Sequence, residues 1–376
     1  HFQSKHPQGK LIRVIKGRIY DIVVDIRKES STYGKYFGIE LSEVDKTMLY
    51  IPRGFAHGFL TLEDETEFQY KCTDIYAPQY DSGIMYDDKD LNIDWKLEEY
   101  GITELTLSEK DKKHQSFKEY TEAYQGEYIL LTGANGQLGQ DFQKLFDNLG
   151  VRYTATDYQE LDITNKEKVK EYIDNNNFTI VINCAAYNNV DKAEEEVEKC
   201  YALNAYAPKN IAKICKEKNI IFVTYSTDFV FDGEKEIPYT EEDIPNLLSI
   251  YSKAKLEGEK YSLEYEKTFL IRTSWVFGMG NNNFCKQIIT WSKDRDILKI
   301  VDDQISSPTY SRDLAEFSWE LIQTDKFGLY HFSNSGEASK YEQAEYILKK
   351  IAWNGKLERA KTDDFPLKAK RAKYSK

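Results

Sequence analysis

The sequence predicts two domains of different class in one chain, an all-β unit followed by a doubly wound α/β unit. Residues 1 to about 111 hold many short β-branched and alternating runs cut by Gly and Pro, the pattern of a sandwich or barrel. From Glu127 onward, apolar strand-like runs alternate with helical segments, which implies a parallel sheet with helices on both faces. At the start of that half, Ile129-Leu130-Leu131-Thr132-Gly133-Ala134-Asn135-Gly136-Gln137-Leu138-Gly139 passes from a buried strand through a Gly-rich turn into the helix-like segment Gln140–Leu149. A length of 376 residues suits two or three domains.

In the first half, strands are predicted at Leu11–Ile15 and Ile19–Ile26, with Gly17 between them. Further strands follow at Tyr36–Leu41, Met48–Ile51, Gly58–Leu62 and Glu67–Cys72, with turns at Pro52-Arg53-Gly54 and Pro78. The polar stretch 113–127 reads as a linker, which divides the chain into 1–112 and 128–376. Strands are then predicted at Val151–Thr156, Thr179–Ala185, Ile220–Tyr225 and Thr268–Thr273, and helices at Ala202–Lys218 and Lys253–Tyr265.

Composition narrows the function. The formal net charge of −12 argues against nucleic acid as the main partner, so an anionic substrate needs local basic groups. No apolar run approaches membrane-spanning length and no secretory signal stands at the start. Five cysteines without a close pair fit a reducing, cytoplasmic setting. The chain begins at His1 rather than Met, and reads as a fragment or trimmed product.

The glycines at 133, 136 and 139 suit a backbone that passes close to a pyrophosphate, with the following helix N-terminus offering free N–H groups. Far downstream stands Tyr251-Ser252-Lys253-Ala254-Lys255. Ketone reduction needs a hydride and a proton for the developing alkoxide. A tyrosine with a lysine four residues on, along one helix face, can supply that proton, the lysine charge lowering the phenol pKa. A lone Y-x-x-x-K is often only a solvent-facing helix turn.

Together with Asn183–Tyr187, Val190–Glu194, Tyr225–Gly233, Arg272–Val276, Asp303-Gln304 and Pro308-Thr309, these motifs resemble the extended short-chain dehydrogenase/reductase superfamily. More narrowly, they resemble its dTDP-4-dehydrorhamnose reductases, over nearly all of 128–376. The resemblance implies Tyr251 as general acid, Lys255 as its tuner and ribose holder, and Thr227 on the substrate oxygen, with Asp228 and Trp275 as further substrate contacts. Trp275 has a rival role as a core tryptophan. For the cofactor it implies Gly133, Gly136, Gln137, Leu138 and Gly139 at the pyrophosphate, Asp157 on the adenosine ribose, Asp162 and Ile163 beside the adenine, and Ala185, Ala186 and Tyr187 along its middle. Asp157 leans toward NADH, with NADPH left open and an ordinary turn aspartate as its rival. Ala369–Ser375 resembles a substrate-closing loop, but Ala372 replaces a family proline and the chain stops where a final helix is expected, which puts loop order and product affinity in question.

The first half has its own resemblance. His1-Phe2-Gln3, Val24–Lys28, Ile51–Phe59, Tyr70–Asp74 and Leu107–Asp111 are similar to dTDP-4-dehydrorhamnose 3,5-epimerases, cupin jelly rolls, over residues 1 to about 112. Epimerisation beside a ketone needs a base on one face and an acid on the other. The resemblance implies His1 as base, Asp111 as the carboxylate that orients it, and Tyr70 as acid, with Lys10, His57 and Lys110 contacting the nucleotide-sugar or an enolate. A metal at His57 is disfavoured, because the usual His-x-His of metal cupins is missing, and no metal is expected. His6 and His114 read as solvated surface residues. In the family, opening strands, an arginine and nucleotide contacts precede this histidine. The jelly roll is therefore expected to be incomplete, His1 mobile, and epimerisation impaired.

The combined reading is a bifunctional enzyme of dTDP-L-rhamnose synthesis, with a dTDP-sugar substrate, NADH or NADPH as cofactor, and a homodimer left open as its assembly. The rivals are another nucleotide-sugar reductase or epimerase of the superfamily and a non-catalytic reductase-like regulatory subunit.

Overall fold

A computed structural model describes residues 1–4, 7–28, 30–123, 127–280 and 283–376. His6 lies outside the described residues. The chain forms two compact units, His1–Gly126 and Glu127–Lys376.

Period-two burial builds the first unit. Strand Lys10–Lys16 buries Ile12 and Val14 and turns Leu11, Arg13 and Ile15 outward. Gly17 then adopts φ +79°, and a Cβ there would lie 2.5 Å from Thr66 Oγ1, so the turn into Arg18–Asp25 needs glycine. One antiparallel sheet has the order Met48–Ile51, Lys10–Lys16, Glu67–Cys72; another has Tyr36–Ser42, Arg18–Asp25, Phe55–Thr61. Ile12, Val14, Ile19, Val23, Leu41 and Ile51 form one core. The other face of Arg18–Asp25 is covered too, its Tyr20, Ile22 and Val24 packing with Leu91 and Tyr120. Each such fully buried aliphatic side chain contributes about 1.5–3 kcal/mol. This is the all-β, cupin-type unit expected.

The stretch expected as a linker is partly structured. Phe117–Ala123 is helical, and Tyr120 is buried with its hydroxyl donating to the Ile26 carbonyl at 3.0 Å. Two aromatics, Phe117 and Tyr120, inside an otherwise charged segment supply the apolar face that average composition conceals.

The second unit carries a wholly parallel six-stranded sheet. Its order is Arg152–Thr156, Tyr128–Thr132, Ile180–Asn183, Ile221–Thr227, Thr268–Thr273, Gly328–His331. Successive residues feed opposite helical layers: Leu130 packs with Val181, Ile211 and Phe222, while Ile129 and Leu131 pack with Phe142, Ile182 and Phe269. The strand order reverses between Tyr128–Thr132 and Ile180–Asn183, where doubly wound sheets bind ligands at their carboxyl ends.

The helices begin earlier than expected. Gln137–Leu149 starts right after Gly136, and Ile250–Leu263 starts before Lys253 because Ser249 and Ser252 form a reciprocal capping box. The segment expected as one helix from Ala202 opens with a π turn, Ala202–Tyr206, before the α-helix Ala207–Lys218. A smaller lobe packs helices Phe284–Asp294 and Lys340–Lys350 on the paired strands Ile297–Val301 and Lys356–Ala360. Among the described residues, no helix is long and apolar enough to cross a membrane.

Candidate functional site

In the second unit the site is built at the switch point. Gly133 has φ +66°, and a Cβ on it would sit 2.5 Å from the Ala185 nitrogen. A Cβ on Gly139 would sit 2.4 Å from the Gly133 carbonyl oxygen. The turn is therefore a cradle that side chains would fill. Gly136 caps the helix without a side-chain bond, so the first-turn N–H groups of Gln137 and Leu138 keep an open anion-facing end. These features fit a dinucleotide pyrophosphate.

The side chains of Gln137 and Leu138 go elsewhere. The Gln137 amide lies 3.1 Å from both Ser311 Oγ and Asn283 Nδ2, and Leu138 packs on the core. Asp157 Oδ2 accepts from the Asn135 N–H at 2.9 Å, tying the end of the second strand to the glycine turn. Asp162 Oδ1 accepts from the Thr164 N–H and hydroxyl, closing its own turn, and Ile163 is buried in the core beside Leu130. Ala185 donates its N–H to Asn183 Oδ1 at 3.2 Å. Tyr187 is fixed by Asn204, whose side chain bonds both its N–H and its carbonyl at 2.9 Å. Ala186 is half-buried between these two anchors. Asn204 lies in the π turn and carries no sequence signature of this role.

Thr227 ends the central strand Ile221–Thr227, and Tyr251 and Lys255 project from Ile250–Leu263. Thr227 neighbours the Tyr251 phenol, and its own hydroxyl donates to Asp228 Oδ1 at 3.1 Å. Lys255 Nζ donates to the Tyr225 carbonyl at 3.1 Å. Tyr251 and Lys255 are only 7% and 8% exposed.

Burial, rather than the lysine, dominates the tyrosine. It pushes the Tyr251 phenol well above its ordinary range, Asp228 and Cys200 add to this, and Thr227 opposes it. The lowering expected from Lys255 is thus not observed. Enclosure also pulls Lys255 down to about 8, against the pull of Glu259 and Cys200. A phenol held in its neutral form is a proton donor at neutral pH, which a general acid must be.

Asp228 is buried, and burial raises it to about 6 despite hydrogen bonds from Ser375 and Thr227. Trp275 is neither buried core nor ordinary backbone. It is half-buried with φ +43°, a conformation that costs a bulky residue about 1–3 kcal/mol. Lys340 Nζ lies 3.3 Å from the centre of its ring. Nothing in the sequence singles out Lys340, which arrives from the smaller lobe; burial lowers it to about 7, with Asp228 opposing.

The C-terminal segment is held despite Ala372. Arg371 pairs with Asp191 at 2.6 Å, Ile305 exchanges backbone bonds with Lys373 and Ser375, and Ser375 Oγ donates to Asp228 at 2.5 Å. Gly233 gives this segment room, since a Cβ there would lie 2.8 Å from Lys373 N.

In the first unit, His1, Tyr70, Lys10, His57 and Asp111 line one cavity of about 860 Å³. His1 Nε2 lies 2.6 Å from Asp111 Oδ1, while Asp111 Oδ2 accepts from Ser108 Oγ at 2.6 Å. Burial raises Asp111, but the bonds from Ser108 and His1 outweigh it and leave the carboxyl below its ordinary range. The expected mobility of His1 is not seen: its backbone nitrogen and oxygen both bond His57 at 2.9 Å, and Phe2–Gln3 pairs with Asp81–Ser82. His57 Nε2 lies 2.9 Å from the fully buried Asp21. Burial lowers Lys10, with Cys72 and Asp21 opposing.

Lys110 does not join the others. It is ion-paired with Asp81 and is not among the cavity residues. His114 is not a solvated surface residue either. Its side chain is 10% exposed, it lines the cavity, and its ring stands edge-on to His1 at 4.6 Å between centres. Burial and the neighbouring His1 lower its pKa, with Asp111 opposing.

Comparison with known proteins agrees with both halves. The family model described as RmlD substrate binding domain matches residues 127–376, and the one described as dTDP-4-dehydrorhamnose 3,5-epimerase matches residues 1–119. A dTDP-4-dehydrorhamnose reductase of Aggregatibacter actinomycetemcomitans is 41% identical over 257 residues, covering 65% of this chain and 87% of that protein. A dTDP-4-dehydrorhamnose 3,5-epimerase of Methanothermobacter thermautotrophicus is 52% identical over 119 residues, 32% of this chain. The chain spans 63% of the length of that epimerase. The crystal structure of dTDP-4-dehydrorhamnose reductase from Bacillus anthracis in complex with NADP has a TM-score of 0.65 at 37% identity, covering 66% of this chain and 89% of that one.

Proposed function

The chain belongs to the dTDP-4-dehydrorhamnose reductase family through residues 127–376, and from this premise we propose that it reduces the 4-keto group of dTDP-4-dehydro-L-rhamnose with NADH or NADPH. The observation that carries the proposal is the enclosed Tyr251 beside Thr227, with Lys255 held on the neighbouring strand carbonyl. When bound, the nicotinamide supplies the hydride. Gly133, Gly136 and Gly139 admit the pyrophosphate, and Asp157 reaches the ribose. Thr227 and Tyr251 bond the ketone oxygen, and Tyr251 gives its proton to the alkoxide as charge develops. Burial strengthens those bonds and keeps the proton on the phenol until an oxygen more basic than phenolate forms. Asp228 and Trp275 face the sugar.

Against the impairment expected from the sequence, the anchoring of His1 by His57 and Asp111 favours an active 3,5-epimerase reading of the first unit. His1, oriented by Asp111, takes a proton from the carbon beside the keto group, and Tyr70 returns one from elsewhere in the same cavity. Lys10 and His57 suit the enolate oxygen or the nucleotide. The two reactions are consecutive, since the epimerised ketone is the substrate for reduction. This reading implies a cytoplasmic setting, consistent with five free cysteines. A homodimer is one assembly this reading admits, and Leu11, Ile15, Met48 and Tyr50, exposed on one unit's strands, suit it. A coupled assay with the 4-keto-6-deoxy sugar nucleotide, following loss of NADH or NADPH, tests it. No cofactor consumption with the epimerised ketone would refute the reductase reading.

A further inference from the structure

Three donor atoms converge in the first unit: His1 Nε2, Asp111 Oδ1 and His114 Nε2, all within 4.8 Å of one another. Their separations are 2.6 Å from His1 to Asp111, 3.4 Å between the histidines and 3.8 Å from His114 to Asp111. Tetrahedral ligation by nitrogen and oxygen at about 2.0–2.1 Å sets ligand atoms roughly 3.3 Å apart. The trio brackets that spacing, and only the His1–Asp111 contact has to open, by about 0.7 Å.

The surroundings look built for three ligands rather than two. Ser108 anchors Asp111 Oδ2 and leaves Oδ1 directed at the histidines. His1 is pinned through its backbone to His57. The ring of His114 occupies space that any side chain at position 83 would take, because a Cβ on Gly83 would fall 2.6 Å from it. All three residues line the same cavity, so an ion there keeps open positions for water or a sugar oxygen.

We propose that His1, Asp111 and His114 form a binding site for a divalent transition metal of the zinc type, and that its occupancy silences the first unit while sparing the second. Two imidazoles with one carboxylate suit zinc, cobalt or nickel better than calcium or magnesium. The inhibitory consequence rests on the epimerase reading: with Nε2–H donating to Asp111 the base is Nδ1, and a metal on Nε2 leaves the proton of the neutral ring on Nδ1, so His1 has no lone pair with which to accept another. The binding claim does not depend on that reading.

The exposed Cys72 is the competing zinc ligand, so the whole chain is studied in a Cys72→Ser background. Zinc is titrated against a fluorescent chelator, and cobalt is followed by visible absorption. The account expects one ion per chain, cobalt bands of nitrogen and oxygen ligation without a thiolate band, and binding weakened about tenfold or more by His114→Gln. Binding unchanged in a His114→Gln protein with a native near-ultraviolet circular dichroism spectrum would overturn the site. So would the absence of stoichiometric binding in the parent. Solvent deuterium exchange into the sugar should fall as zinc fills the site and return with EDTA, while cofactor oxidation with the epimerised ketone is unaffected. Exchange insensitive to bound zinc overturns the silencing. Exchange absent from metal-free protein defeats the epimerase reading instead, and the two titrations still decide the site.

Discussion

The residues proposed to transfer protons are held in opposite ways in the two units. In the second, Tyr251 is 7% exposed, and enclosure dominates its acidity. In the first, the His1 side chain is 35% exposed, and its orientation comes from one carboxylate that Ser108 fixes in turn. A buried acid keeps its proton because the charged form is costly to bury. A half-exposed base keeps its geometry because hydrogen bonds hold it. The buried arrangement tolerates solvent and salt; the half-exposed one depends on each bond in a short chain.

Tyr251→Phe should break the comparison most severely. It removes the proton donor but leaves the glycine turn and Lys255, so reduction should fall by about 10²–10⁴ while dinucleotide binding, measured by fluorescence titration, stays near the parent value. Turnover within about threefold of the parent would take Tyr251 out of the mechanism.

Asp111→Asn acts on the other unit. Loss of the orienting charge should reduce deuterium incorporation at C3 and C5 by about 10²-fold, with reduction of the epimerised ketone unchanged. An equal fall in both would mean that the variant unfolds the chain rather than disorients His1.

Asp228 sharpens the burial side. Its folded pKa, about 6, lies above the ordinary 3.8, so its contribution to stability is complete below pH 3.8 and is lost as pH rises through about 6. Asp228→Asn removes that dependence. The stability of the variant relative to the parent should rise between pH 4 and pH 7.5, by up to about 3 kcal/mol, in denaturant melts. A flat difference would show that Asp228 does not bear the burial cost assigned to it.

The smallest effect is expected at Asp157. Asp157→Ala should move the kcat/KM ratio toward NADPH by about tenfold, because an acceptor for the ribose and a repeller of its 2′-phosphate are lost together. Its carboxylate already accepts the Asn135 N–H, so an unchanged ratio would leave it a turn residue.

What could be read from sequence follows the range of each interaction. Tyr251 and Lys255 are four residues apart on one helix, and the glycine turn lies between one strand and one helix, so local pattern exposed both. The strands of the first unit were legible for the same reason, by alternation about Gly17. His114 and Lys340 were not. Each sits in a polar stretch and gains its surroundings only when distant residues, Gly83 and His1 for one and Trp275 for the other, close around it. Burial, the largest influence on the Tyr251 phenol, leaves no mark in a sequence, whereas a charge four residues away does. The mobility expected of His1 failed likewise, since its anchor, His57, lies on a strand fifty-six residues on.

The central claim is that one chain carries two assembled centres for consecutive reactions. Its most direct test is to supply the unepimerised 4-keto-6-deoxy-glucose nucleotide in deuterium oxide, with NADPH and without any other enzyme, and to read the product by NMR. The account predicts cofactor oxidation and a rhamnose nucleotide carrying deuterium at C3 and C5. Cofactor oxidation only when the ketone is supplied already epimerised, with no deuterium entering the precursor, would contradict it.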